Sequence, residues 1–137
     1  MKENATGLTY QGKPRTCGLR LSITDVVVLV VATLTGTTAY SFTFGYALFV
    51  PFVVYHFFLF CNAFRIPRKP ELIWGAVFLV HSAAWIISGR LNIPLLFCLQ
   101  LVVTAVIIGH EVRQPTYHGI WSRRLNSRID DYWAGRL

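Results

Sequence analysis

Four apolar stretches set the limits on what this chain can become. Residues 21–39, 45–64, 71–89 and 93–110 are mostly apolar, and each is close to the roughly 20 residues that a helix rising 1.5 Å per residue needs to cross a hydrocarbon core of about 30 Å. The first two cannot form one helix, because 21–64 would then run about 66 Å, roughly twice that thickness. A turn is expected between Gly36 and Gly45, where threonines and Ser41 gather. Charged residues make up only 14% of the chain against 54% apolar ones, and the mean hydropathy is +0.49. Disorder and coiled coil need far more charge, and a disulfide scaffold needs more than three cysteines. The expected fold class is an all-α integral membrane protein: a four-transmembrane-helix bundle over 21–110, preceded by a tail over 1–20 and followed by a tail over 111–137.

The basic residues orient this bundle. Lys2, Lys13, Arg15 and Arg20 precede the first span, Arg65, Arg68 and Lys69 lie between the second and third, and Arg113, Arg123, Arg124, Arg128 and Arg136 follow the fourth. With four spans these groups share one side, and of the 13 basic residues only Arg90 lies opposite. The positive-inside rule makes the rich side cytoplasmic, so both termini are expected there, most simply in a bacterial inner membrane. A net charge of +7 would suggest nucleic acid as partner for a soluble domain. Here the charge borders hydrocarbon and is expected to face anionic headgroups, with no nucleic acid involved. Val26 to Leu34 has the look of a signal-peptide core and Thr37-Thr38-Ala39 loosely that of a cleavage site, but the segment is expected to stay as the first span.

Local patterns fill in the bundle. The N-terminal tail has no period and reads as loop. Ala32 and Gly36, four apart beside Thr33 and Thr37, suit a close helix contact with threonine hydroxyls bonding back or across. Asp25, one turn inside the span, is a candidate partner for Arg20 or Arg65 or the interface. Pro51 is expected to kink the second span. Tyr40, Phe42, Phe44 and Tyr46 suit an outer aromatic belt, and Trp74 and Trp85 suit the inner and outer belts. Arg65 to Pro70 makes a short, proline-stiffened link, and Gly89 and Asn92 read as helix stop and N-cap ahead of Pro94. In the C-terminal tail Trp121, Leu125, Ile129 and Trp133 recur every fourth residue with charges between them, which predicts an amphipathic helix over about 121–136 lying against lipid or another subunit.

Chemistry inside a membrane rests on its rare ionisable residues. His56 lies nine residues before Arg65 and His81 eleven after Pro70, depths of roughly 13 and 16 Å on helices joined by a short link. Matched depth on neighbouring helices is what a bis-histidine b-type haem requires. The simpler reading makes each imidazole an inter-helix hydrogen-bonding group. Gln100 and Thr104 form a polar stripe facing the bundle or another subunit. Cys61 and Cys98 differ in depth by more than the roughly 7 Å that a disulfide allows between α-carbons, and no CxxC, phosphate-loop, nucleophile-elbow or H-E-x-x-H motif occurs, His110-Glu111 being followed by Val112. The functional expectation is a non-enzymatic accessory or scaffold subunit of a larger membrane complex, in contact with lipid and other membrane subunits. A haem- or quinone-binding electron-transfer anchor using His56 and His81 is the alternative, and a small oligomeric transporter or channel the third.

Overall fold

The computed structural model describes residues 9–10, 13–14, 17–90 and 92–137. Of the predicted tail and outer turn, Lys2, Arg15 and Leu91 lie outside them. The described chain is helical apart from one short pairing in the tail, Thr9–Tyr10 antiparallel to Lys13–Pro14. Helix α1 spans Ile23–Ala39, α2 Phe49–Phe58, α3 Arg68–Ile87 and α4 Ile93–Glu111, with two short helices, α5 Ser122–Leu125 and α6 Ile129–Trp133, after them. A 3-10 turn at Tyr46–Leu48 leads into α2 and a π turn at Leu59–Phe64 leads out of it, so that Tyr46–Phe64 is one continuous helical segment. That segment, α3 and α4 are long and apolar enough to cross a membrane. With 17 residues, α1 is the shorter fourth, about 26 Å in length.

Helix α1 starts where Ser22 makes a reciprocal cap. The Ser22 hydroxyl accepts the Asp25 amide at 3.2 Å, and the Asp25 carboxylate accepts the Ser22 amide at 2.8 Å. Asp25 therefore serves the helix end, where a carboxylate also suits the dipole. Ser22→Ala should lower stability by about 1 kcal/mol; amide hydrogen exchange of Asp25 and Val26 reads this loss, and unchanged exchange would contradict it.

The small residues of α1 do form its contact face. Ala32 and Gly36 are its buried residues, and a Cβ built on Gly36 would lie 2.6 Å from the Pro51 ring. Thr33 donates to the Leu29 carbonyl at 2.7 Å and shares a 2.8 Å hydrogen bond with the Tyr55 hydroxyl on α2. Pro51, expected to kink the second span, lies close to its start. It occupies the first turn of α2, just after the 3-10 turn, near the start of the segment where proline is better tolerated than in a helix interior.

The α3–α4 hairpin follows the predicted punctuation. Gly89 turns with φ +63°, and the Asn92 side chain accepts the Leu95 amide at 3.0 Å with Pro94 behind it. Around the first turn Phe42 and Phe44 are exposed, the latter at 90%.

The core joins α2, α3 and α4 through aromatic rings. Phe52 lies parallel to Phe97, centroids 3.9 Å apart, and Trp74 parallel to Phe78 at 5.5 Å. Trp74 is thus not the interfacial belt residue its position suggested. It is 1% exposed, at the centre of the cluster with Phe60, Phe78 and Leu96, because its indole N–H finds a partner inside the bundle.

Candidate functional site

That partner is the Thr104 hydroxyl, 2.9 Å from Trp74 Nε1. Thr104 in turn donates to the Gln100 carbonyl at 2.9 Å, and Gln100 Nε2 donates to the Trp74 carbonyl at 3.0 Å. The Gln100–Thr104 stripe therefore faces the bundle, both residues buried, and closes a ring of hydrogen bonds between α3 and α4. In a solvent without competing water this is inter-helix glue.

His56 sits on the same cluster. Its imidazole stacks on Trp74, centroids 4.6 Å apart at 20°, and its Nδ1 bonds the Phe52 carbonyl at 2.7 Å. Since a carbonyl only accepts, Nδ1 carries the proton and Nε2 presents a lone pair. His56 Nε2 and Gln100 Oε1 are both buried acceptors without a protein donor.

His81 does not meet His56. Among the described residues its ring contacts no other ring, whereas His56 pairs with Trp74, seven residues earlier on α3, an offset of about 10 Å along the axis. The helix limits differ from those expected: α3 starts at Arg68 rather than at 71, and α2 ends in a wider π turn. The Phe52–Phe78 stack, centroids 5.7 Å apart, belongs to the same aromatic layer. Among the described residues no three or more His, Cys, Asp and Glu side chains gather into a metal-holding group.

The second concentration of polar chemistry lies where both tails meet the bundle. A helix end leaves carbonyls without partners, and here the tails supply them. Arg20 N–H donates to the Asn62 carbonyl at 3.0 Å, Ile120 N–H to that of Ala63 at 2.8 Å, and Gly18 N–H to that of His118 at 3.1 Å. Arg65, closing the π turn, takes the left-handed conformation at φ +51°, which lets Ile66 N–H reach back to the Phe60 carbonyl at 2.8 Å. Residues 18–20 and 118–120 therefore gather at the end of the bundle that bears Arg65 and Arg68.

The predicted helix over 121–136 is two short helices instead. Asn126 is the cause: its amide donates to the carbonyls of Pro115 and Tyr117, each at 2.8 Å, and its Oδ1 accepts the Arg128 amide at 2.9 Å. These bonds compete with the helical ladder and win. The four-residue stripe is split accordingly. Trp121 and Leu125 point outward, 63% and 49% exposed, while Ile129 is buried and Trp133 turns inward to donate from Nε1 to Cys17 Sγ at 2.8 Å, with Arg123 over its ring. Tyr117 is also buried, its hydroxyl donating to the Ile120 carbonyl at 2.7 Å, and burial pushes its phenol up to about 12.

His118 is stacked on Tyr132 with centroids 4.6 Å apart, and its Nδ1 bonds the Thr116 carbonyl at 2.9 Å. Burial holds it below the usual imidazole value of 6.5, and the Arg65 charge adds to this against the opposing Thr116 bond. A depressed base favours its neutral form in the fold. Its contribution is complete above pH 6.5 and is lost as pH falls through the lower folded value. Trp133 fluorescence and exchange of the Gly18 amide should report loosening of this region on acidification. The dependence should vanish in His118→Gln, and an identical pH profile in that variant would refute the assignment.

Comparison with protein-family models, with curated proteins and with solved structures gives no match for this chain.

Proposed function

We propose that this chain is a non-enzymatic accessory or scaffold subunit of a larger membrane assembly, held by four spans with both tails on the cytoplasmic face. The observation that supports this reading is the tail-built head. Its interior is tied by Asn126, Tyr117 and Trp133, yet Trp121 and Leu125 remain outside it beside Arg123 and Arg124. Large apolar side chains held outward on an ordered support, ringed by arginine, have the composition of an interface core. The buried polar groups of the spans fit the same role, since Trp74, Gln100 and Thr104 bind helix to helix and leave the chain rigid. A bacterial inner membrane is the setting that the charge asymmetry favours.

The test is the state of the chain in its own membrane. After mild solubilisation it should migrate within a species larger than the monomer, and Trp121→Ala with Leu125→Ala should release it. Migration of the unmodified chain as a lone monomer, with its native lipids retained, would refute the proposal.

A further inference from the structure

At the tail-bearing end a cleft of about 330 Å³ opens between the N-terminal tail, the π turn, the start of α3 and the connector to the C-terminal head. Three guanidinium groups, Arg20, Arg65 and Arg68, line it together with Cys61, Glu71 and His118. The sequence scatters these residues, and the backbone bonds of the tails bring them together: Arg20 through its own amide on Asn62, and His118 through its carbonyl on Gly18.

Three arginines and one carboxylate line the cleft. Burial, and after it the nearby Arg20 charge, pull Arg65 below the usual guanidinium range. The one carboxylate does not balance this. Glu71 is buried, accepts from Cys61 Sγ at 3.3 Å, and forms no ion pair with arginine among the described residues. Neither Arg20 nor Arg68 has an ion pair among them either. Guanidinium forks match the oxygens of phosphate and hold it through charge-assisted hydrogen bonds.

Position identifies the source of the phosphate. Arg65 and Arg68 directly follow and begin two membrane-spanning segments, the level at which headgroups lie and at which basic pockets between helices bind them. A second cavity, about 290 Å³, runs between α1 and α2 over Val28, Leu29, Val54 and Phe57, and Cys61 lines both cavities. Asp25 is the charged residue of that groove, and its carboxylate is engaged by the Ser22 amide. A basic cleft that meets an apolar groove at Cys61 has the polarity of a phospholipid.

We propose that the cleft binds the phosphate of an anionic glycerophospholipid, with an acyl chain in the α1–α2 groove. The full chain in neutral detergent is titrated with short-chain phosphatidylglycerol, with phosphatidylcholine of the same chains, and with inorganic phosphate, while thermal unfolding is followed. Phosphatidylglycerol should stabilise saturably and bind about tenfold or more tightly than phosphatidylcholine. Arg20→Gln with Arg68→Gln, both exposed side chains, should weaken it about tenfold. Arg123→Gln with Arg124→Gln removes the same charge outside the cleft and should leave binding within about twofold. Val28→Trp, which fills the groove, should weaken the lipid and spare inorganic phosphate. Inorganic phosphate as effective as the lipid would overturn the lipid assignment in favour of a free-phosphate site. Equal loss in the two double variants would overturn the site itself. So would release of the unmodified protein from mixed vesicles, in native mass spectrometry, with no phosphatidylglycerol retained.

Discussion

Trp74→Ala should be among the most damaging substitutions in the spans, with a loss of about 3 kcal/mol. The indole is 1% exposed and contacts Phe52, His56, Phe60 and Phe78, so truncation opens a cavity where three helices meet. Lipid tails are as apolar as the core, so little of this loss is transfer from water; the lost ring contacts account for it. Trp74→Phe separates the two parts. It keeps a stacked, smaller ring and removes the donor to Thr104, a loss of about 1 kcal/mol for the bond with a further packing loss smaller than in the alanine variant. Unfolding in mixed micelles by graded sodium dodecyl sulfate measures both. A loss below about 1 kcal/mol for the alanine variant would show that the aromatic cluster does not hold the bundle.

Gly119→Ala should free the C-terminal head while leaving the spans helical. A Cβ at 119 would lie 2.5 Å from the Phe64 carbonyl oxygen and 2.7 Å from its carbon. Those are backbone atoms at a helix end and cannot swing aside. The connector must lift, and the Ile120 bond to Ala63 and the Gly18 bond to His118 go with it. The expected cost is about 3 kcal/mol, the upper part of the range for overpacking. It should appear as roughly hundredfold faster exchange of the Ile120 and Gly18 amides and as easier proteolysis beyond Arg113, with α3 and α4 unaffected. Exchange at Ile120 equal to that of the unmodified chain would refute the close approach.

How much of this was legible in sequence differs by element. The spans were, since length and apolarity alone decide what crosses about 30 Å of hydrocarbon. So were the Ala32–Gly36 contact and the Asn92 cap, both local patterns. The Ser22–Asp25 cap is legible too, as Ser-x-x-Asp before an apolar run, although the same carboxylate also has the position of an ion-pair partner. Trp74 and the C-terminal stripe misled because each has two physical solutions. A tryptophan near a helix end reaches the interface unless another helix satisfies its N–H, and Thr104 is 30 positions away. An every-fourth stripe makes a helix unless a side chain captures the backbone, and the carbonyls that hold Asn126 belong to Pro115 and Tyr117.

The basic cleft shows the same division. Composition places positive charge beside the spans but does not say which arginines converge. Arg20 and Arg68 lie far apart in the chain, and tail capping of the π turn brings them to one cavity. The sequence by itself determined that the chain is a set of apolar helices with its basic residues grouped between and beyond them, because periodicity, length and charge act locally. Tertiary structure alone decided that His56 stacks on Trp74, that the C-terminal stripe divides, and that three arginines share a cleft. Each of those outcomes depends on bonds between distant residues, and such bonds leave no local pattern to read.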